Sequence, residues 1–303
     1  MTGTVLLATY AVAAGSAAPV ALRRGWARRA PRLAIAVWLI LAASWLAAVT
    51  LAALALAAPS ALAWQASGDP AAGSVSGTPA AAAVVLLAAI IPCWAGWHLV
   101  RGLAADRRGH RAHAAFLAAA GRFDPALGAV ITADDSPAVY CLPSGRHKMV
   151  ISAGALARLS PGQLRAVLAH ERAHLRGRHH LILTATAALA RAFPVIPLFT
   201  AAAAELAVLA EMAADDDAAR RHQRGDIASA MVTLAGAATH RAALAAGGPA
   251  AIARVERLLA PPSPPALPAR ITRLGIALAV IAIPAGITAL PLAVAACSII
   301  TRT

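Results

Sequence analysis

Four long apolar blocks with arginines clustered at their ends constrain this chain more than any other feature. They run over 5–22, 33–58, 80–100 and 274–300. At a rise of about 1.5 Å per residue, roughly 20 apolar residues cross a hydrocarbon core of about 30 Å. Arg23, Arg24, Arg28, Arg29 and Arg32 follow the first block, and Arg101, Arg107, Arg108 and Arg111 follow the third. Arg270 and Arg273 precede the fourth. The positive-inside bias places these arginines in the cytoplasm, and the Gly/Ser/Pro stretch 65–79, whose one charge is Asp69, outside. Three spans in 1–100 and a fourth in 269–303 then alternate without conflict, with both termini extracytoplasmic. No basic stretch precedes the first block, so it is expected to be a retained span rather than a cleaved signal.

Composition agrees with a membrane protein that carries a water-facing portion. Of the 303 residues, 60% are hydrophobic and 13% are charged. The net charge of +14 comes mostly from arginines that flank apolar blocks. Neither an aromatic-interleaved basic patch nor finger spacing is present, so membrane lipid, not nucleic acid, is the expected partner of that charge. Cys93, Cys141 and Cys297 are far apart and suggest no thiolate cluster or disulfide framework.

The stretch 101–268 is mixed enough to face water, and 110–120 reads as a helix continuing the third block. Turn formers around Asp134–Pro137 and Pro143-Ser144-Gly145 separate the strand-like runs 129–132, 138–142 and 148–152. These predict a small antiparallel ribbon. A helix then opens at Ser160 as N-cap, with Pro161 in the first position and Gln163 completing a capping box. Leu164, Val167 and Leu168 give it a buried side.

That helix ends in Ala169-His170-Glu171-Arg172-Ala173-His174. His170 and His174 are four apart and project from one face, so two neutral imidazoles can share one zinc ion. Glu171 lies about 100° around the axis, where its carboxylate can take a proton from water at the metal. The competing reading is a basic, histidine-bearing helix at a membrane surface.

A third ligand is needed. Glu211 is the expected one, with Glu205 as an alternative. Asp215, one turn after Glu211, can accept from the back nitrogen of a liganding imidazole. Asp216 and Asp217 are expected on a solvated or basic-residue-paired face. The apolar segment 181–200 contains Arg191, Pro194 and Pro197, and it is expected to re-enter or lie on the membrane, because one crossing would separate Glu211 from His170. His147, His222 and Tyr140 are candidates for oxyanion or substrate contacts. His179 and His180 are assigned, with Arg176 and Arg178, to an interfacial basic patch. Residues 226–259 read as two short helices broken at Gly247-Gly248, and 261–268 as a stiff linker.

The predicted fold is a multi-pass α-helical membrane protein with a mainly α, zincin-like cytoplasmic metallopeptidase domain over 101–268 that contains the small ribbon.

Residues 170–174 followed by 211–215 resemble the membrane zinc metallopeptidases of the BlaR/MecR sensor type, and are similar to the HtpX and Ste24 peptidases. The run 160–171 and Val150-Ile151-Ser152 share that wider pattern. The resemblance implies a gluzincin site: one zinc per chain held by His170, His174 and Glu211, Glu171 as base and Asp215 in support. It implies a protein or peptide substrate, with a transcriptional repressor or a membrane protein among the candidates. Sensor proteins of that type carry a penicillin-binding domain after the last span, whereas three residues follow Ile300 here. The expectation is therefore protease chemistry without a β-lactam sensor. The alternative is a non-catalytic regulatory membrane protein that uses the same domain to bind a partner.

Overall fold

The computed structural model describes residues 2–22, 25–67, 77–145, 148–236, 248–260 and Gly275. The expected linker at 261–268, nearly all of the expected fourth span, and His147 lie outside the described residues. The chain divides into two units, one of Met1–Val100, Thr186–Glu205 and Pro265–Thr303, the other of Arg101–Ala185 and Leu206–Pro264.

In the first unit the leading apolar block, expected as a span, is divided into α1 (Thr2–Ser16) and α2 (Ala18–Leu22). Pro19 has no N–H to give back along the helix, and the break falls at Ala17, two residues before it. After α3 (Trp26–Arg29), α4 runs over Pro31–Ser67 and contains the second expected span. Two of its polar side chains are satisfied inside the unit: Ser44 bonds the Tyr10 hydroxyl, and the Trp45 indole donates to the Ala11 carbonyl at 2.9 Å. Unpaired groups of this kind are expensive in lipid. The next helix, α5 (Gly77–Ala120), is continuous through the third expected span and the helix expected at 110–120. Leu86, Ile90, Trp94, Trp97 and Val100 stand exposed along it, an apolar face suited to lipid.

Two described helices are long and apolar enough to cross a membrane by length and composition, Pro31–Ala55 within α4 and Pro197–Ala218. The second carries Glu205, Glu211, Asp215, Asp216 and Asp217, a burden of carboxylates that weighs against a simple crossing. The segment 181–200 resolves into most of α8 (His179–Ala192), a four-residue turn at 193–196 and the start of α9 (Pro197–Ala218). At 14 residues α8 spans only about 21 Å, short of the hydrocarbon core. Val195 at the turn is exposed.

The second unit is built on a four-stranded sheet, in the order β1-β2-β4-β3. Its strands are β1 (Arg122–Asp124), β2 (Ala129–Thr132), β3 (Val139–Cys141) and β4 (Met149–Ser152). The antiparallel pairing of β3 with β4 follows the expected ribbon, with Tyr140 opposite Val150. The pairing of β2 with β4 is parallel, and β1 was not expected at all. The reason lies in β4, whose four residues are all buried, as befits a central strand flanked on both sides. Side chains alternate across the sheet. Val150 joins Val130, Leu142 and Leu117 of α5 on one face, while Met149 and Ile151 join Val167 and Leu168 on the other.

That second face is covered by α6 (Ala153–Arg158) and α7 (Pro161–Arg176). A further cluster of Ala166, Ala218, Ile227, Ala228 and Leu258 locks α7 against the end of α9, α10 (Arg224–Gly236) and α11 (Gly248–Leu259). The packing thereby brings four helices together.

Candidate metal centre

The helix α7 begins as its sequence dictates. Ser160 accepts from the Gln163 amide, and the Gln163 side chain accepts from the Ser160 amide, so two otherwise orphaned N–H groups are satisfied. Its buried stripe faces the sheet and leaves His170 and His174 together, their Nε2 atoms 3.1 Å apart. From α9, Glu211 presents Oε2 at 3.5 Å from His170 Nε2 and Oε1 at 3.4 Å from His174 Nε2.

This donor set fits a zinc ion. Bonds of 2.0–2.1 Å in a tetrahedron imply ligand-to-ligand edges of about 3.3 Å, close to the 3.1 Å between the two imidazole Nε2 atoms and the 3.4 Å from His174 Nε2 to Oε1 of Glu211. Ligand atoms of His170, His174 and Glu211 all lie within 4.8 Å of one another, and they are the group among the described residues that can hold a metal. Glu205, the alternative ligand, is not part of it.

The surroundings orient each donor. Asp215, wholly buried, sets Oδ1 at 3.0 Å from Nδ1 of His170. Burial pulls the His170 pKa down, but the carboxylates of Asp215 and Glu211, at 3.0 and 3.5 Å from its two nitrogens, outweigh it and raise it to about 9. Burial wins at His174, which is lowered to about 4 against the pull of Glu211. Arg254 on α11 grips both carboxylates, with Nη1 at 2.8 Å from Glu211 and Nε and Nη2 each at 2.8 Å from an oxygen of Asp215. Asp216 is paired with Arg257 and Asp217 with Arg176.

His179 departs from its expected place in an interfacial patch. It is buried, and its Nδ1 lies 3.0 Å from Nδ1 of His174. The cause is local: Gly177 ends α7, Arg178 takes a φ of 50°, and the reversed chain turns the first residue of α8 back onto the site. His180 points elsewhere, 6.2 Å from the His110 ring.

Glu171 lies against Cys141 of the edge strand β3, close enough for each to act on the other. Burial pushes the Glu171 carboxyl up. Burial and then the Glu171 charge push the Cys141 thiol up to about 12. Sequence reasoning passed over both Cys141 and Arg254.

Tyr140, an expected site contact, lies on the opposite face of β3, packed with Val130 and Val150, and its hydroxyl bonds His113 Nε2 at 2.8 Å. Strand alternation separates it from its neighbour Cys141. His222 sits half-buried in the turn after α9. Among the described residues, no hydrogen bond or ion pair joins either to the metal cluster.

The family model of peptidase family M48 matches residues 104–261, just over half of the chain. The chain belongs to peptidase family M48. The matched stretch includes the sheet, the paired histidines of α7, Glu211 and Asp215, and Arg254. No curated protein and no solved structure matches this M48 chain.

Proposed function

We propose that this M48 protein is a membrane-bound zinc endopeptidase acting on a cytoplasmic or membrane-proximal protein. The observation that carries the reading is the 3.1 Å approach of two imidazole Nε2 atoms with Glu211 against both, beside the half-buried Glu171.

Zinc, when bound, polarises a scissile carbonyl and makes a water more acidic. His170, His174 and Glu211 hold it. Glu171 receives the proton of the attacking water on its carboxylate and passes it to the departing amine nitrogen. Its raised pKa suits a group that must both accept and donate. Asp215 fixes His170 through Nδ1, leaving Nε2 for the metal.

Substrate selection falls to β3. Leu142 donates to the Lys148 carbonyl and Ser152 to the Ala138 carbonyl, so the antiparallel alternation turns the backbone groups of Val139 and Cys141 away from β4. An extended peptide pairing with that edge lies beside Glu171. Four spans, extracytoplasmic termini and a layout like the BlaR/MecR sensors remain part of this reading; they rest on the arginine pattern, the apolar α4 and the exposed apolar face of α5. A transcriptional repressor and a membrane protein are the substrate classes to test.

The experiment uses full-length protein in detergent, assayed for metal content and for cleavage of an unstructured protein. One zinc per chain is expected, with cleavage lost on chelation and restored by zinc. Glu171→Gln should keep the zinc and lose cleavage. Zinc without any cleavage favours a partner-binding protein, and a folded chain that takes up no metal refutes the reading.

A further inference from the structure

Arg254 comes from a helix that carries none of the zinc-site motif, yet it makes three close polar contacts to that site. Its side chain is only 13% exposed. Three nitrogens of one planar group are engaged at once. The Nε and Nη2 atoms take the two oxygens of Asp215, and Nη1 takes Oε2 of Glu211, each at 2.8 Å. We propose that Arg254 is a positioning residue of the metal centre, which confines Glu211 to one metal-facing oxygen and holds Asp215 against His170.

The argument starts from what each carboxylate can do alone. A glutamate with two free oxygens can chelate an ion through both. Catalytic zinc needs three protein ligands and an open position. With Oε2 engaged by Arg254, the oxygen left is Oε1, the one nearer His174. Glu211 then fills one position instead of two.

Asp215 has the complementary problem. Its side chain has no exposed surface, and a buried carboxylate beside a metal-binding histidine needs a counter-charge. A free aspartate could also rotate away from Nδ1 of His170. The two-pronged grip of Arg254 prevents that rotation and leaves Oδ1 where the imidazole meets it. Lysine carries the same charge but cannot place three donors in one plane across two carboxylates.

The helix α11 does not depend on Arg254 alone for its place. Leu258 is buried in the cluster with Ala166 and Ala218, and one turn from Arg254, Arg257 pairs with Asp216. That second pair provides the control, because it joins the same two helices without touching a ligand.

The inference rests on the reading of this cluster as a zinc centre, and the experiment separates the two. Full-length protein in detergent is titrated with zinc against a chromophoric chelator, and with cobalt(II) to read coordination from the visible spectrum. Wild type, Arg254→Lys, Arg254→Gln and Arg257→Lys are compared, with circular dichroism to confirm folding. Arg254→Lys and Arg254→Gln should bind zinc about 10–100-fold more weakly. Their cobalt bands should lose intensity as Glu211 adds its second oxygen. Arg257→Lys should stay close to wild type. Unchanged affinity and spectrum in both Arg254 variants overturn the inference while leaving the zinc centre intact. Equal weakening by Arg257→Lys also overturns it, since helix docking then accounts for the effect. A folded wild type that takes up neither metal removes the zinc reading and the inference with it.

Discussion

Cys141 of the edge strand β3 and Glu171 of α7 lie against each other, so that the carboxylate of one acts on the thiol of the other. The edge of the sheet is thus tied to the proposed base before any substrate arrives. With the thiol held up at about 12, its thiolate fraction at pH 8 is about one part in ten thousand. Iodoacetamide at pH 8 should leave Cys141 unmodified in the folded protein and label it promptly in urea, as followed by peptide mass spectrometry. Rapid labelling of the folded chain contradicts the contact. Cys141→Ser, which keeps a donor, should hold turnover closer to wild type than Cys141→Ala does.

Proton release should accompany metal uptake, with a definite pH dependence. His170 is raised from its ordinary 6.5 to about 9, so in the metal-free protein at pH 7 it is cationic. His174, lowered to about 4, is already neutral. Metal binding requires neutral imidazole, so uptake at pH 7 expels about one proton, and affinity climbs about tenfold per pH unit until roughly pH 9. The sign for metal-free stability is the reverse. A raised pKa gives stability that is complete below 6.5 and fades as pH rises through 9. Calorimetry in two buffers of different ionisation enthalpy measures the proton directly, and a zero count at pH 7 sinks the assignment.

The cap of α7 makes a contrasting prediction, because it governs the helix and not the metal. Ser160→Ala removes the acceptor for the Gln163 amide and should lower stability by about 1 kcal/mol. Thermal unfolding should shift downward while zinc affinity per folded chain stays at the wild-type value. A change in affinity instead means that the start of α7 strains its far end.

What could be read in the sequence was local, and what was missed was mostly not. The start of α7 is written in Ser160, Pro161 and Gln163, and the ligand spacing in a four-residue step, so both follow from one helix. Glu211 and Asp215 share a second helix and the same four-residue logic. Arg254 has no such signal: it meets Asp215 across 39 residues, and an arginine in a short helix looks like any solvated one. The sheet shows the same limit, since the runs of β2 and β4 indicate strands but not that the two lie parallel. Pro19 did carry a usable signal, and an apolar block of spanning length concealed it.

The turn between α7 and α8 yields the last prediction. A Cβ added at Gly177 would stand 2.4 Å from Nε2 of His179, so the ring must move. The severe clash is with the outer end of one side chain, while the Ala173 carbonyl of α7, at 3.2 Å, need give only a few tenths of an ångström. The displaced ring gives up its 3.0 Å approach to Nδ1 of His174, which then loses the partner that orients it. Gly177→Ala and His179→Ala should each weaken zinc binding about tenfold, at the low end for a supporting contact. Because both act through one contact, the double variant should be no weaker than the stronger single one. Zinc dissociation constants for the four proteins complete the cycle. Additive losses mean that Gly177 acts on the site by some route other than His179.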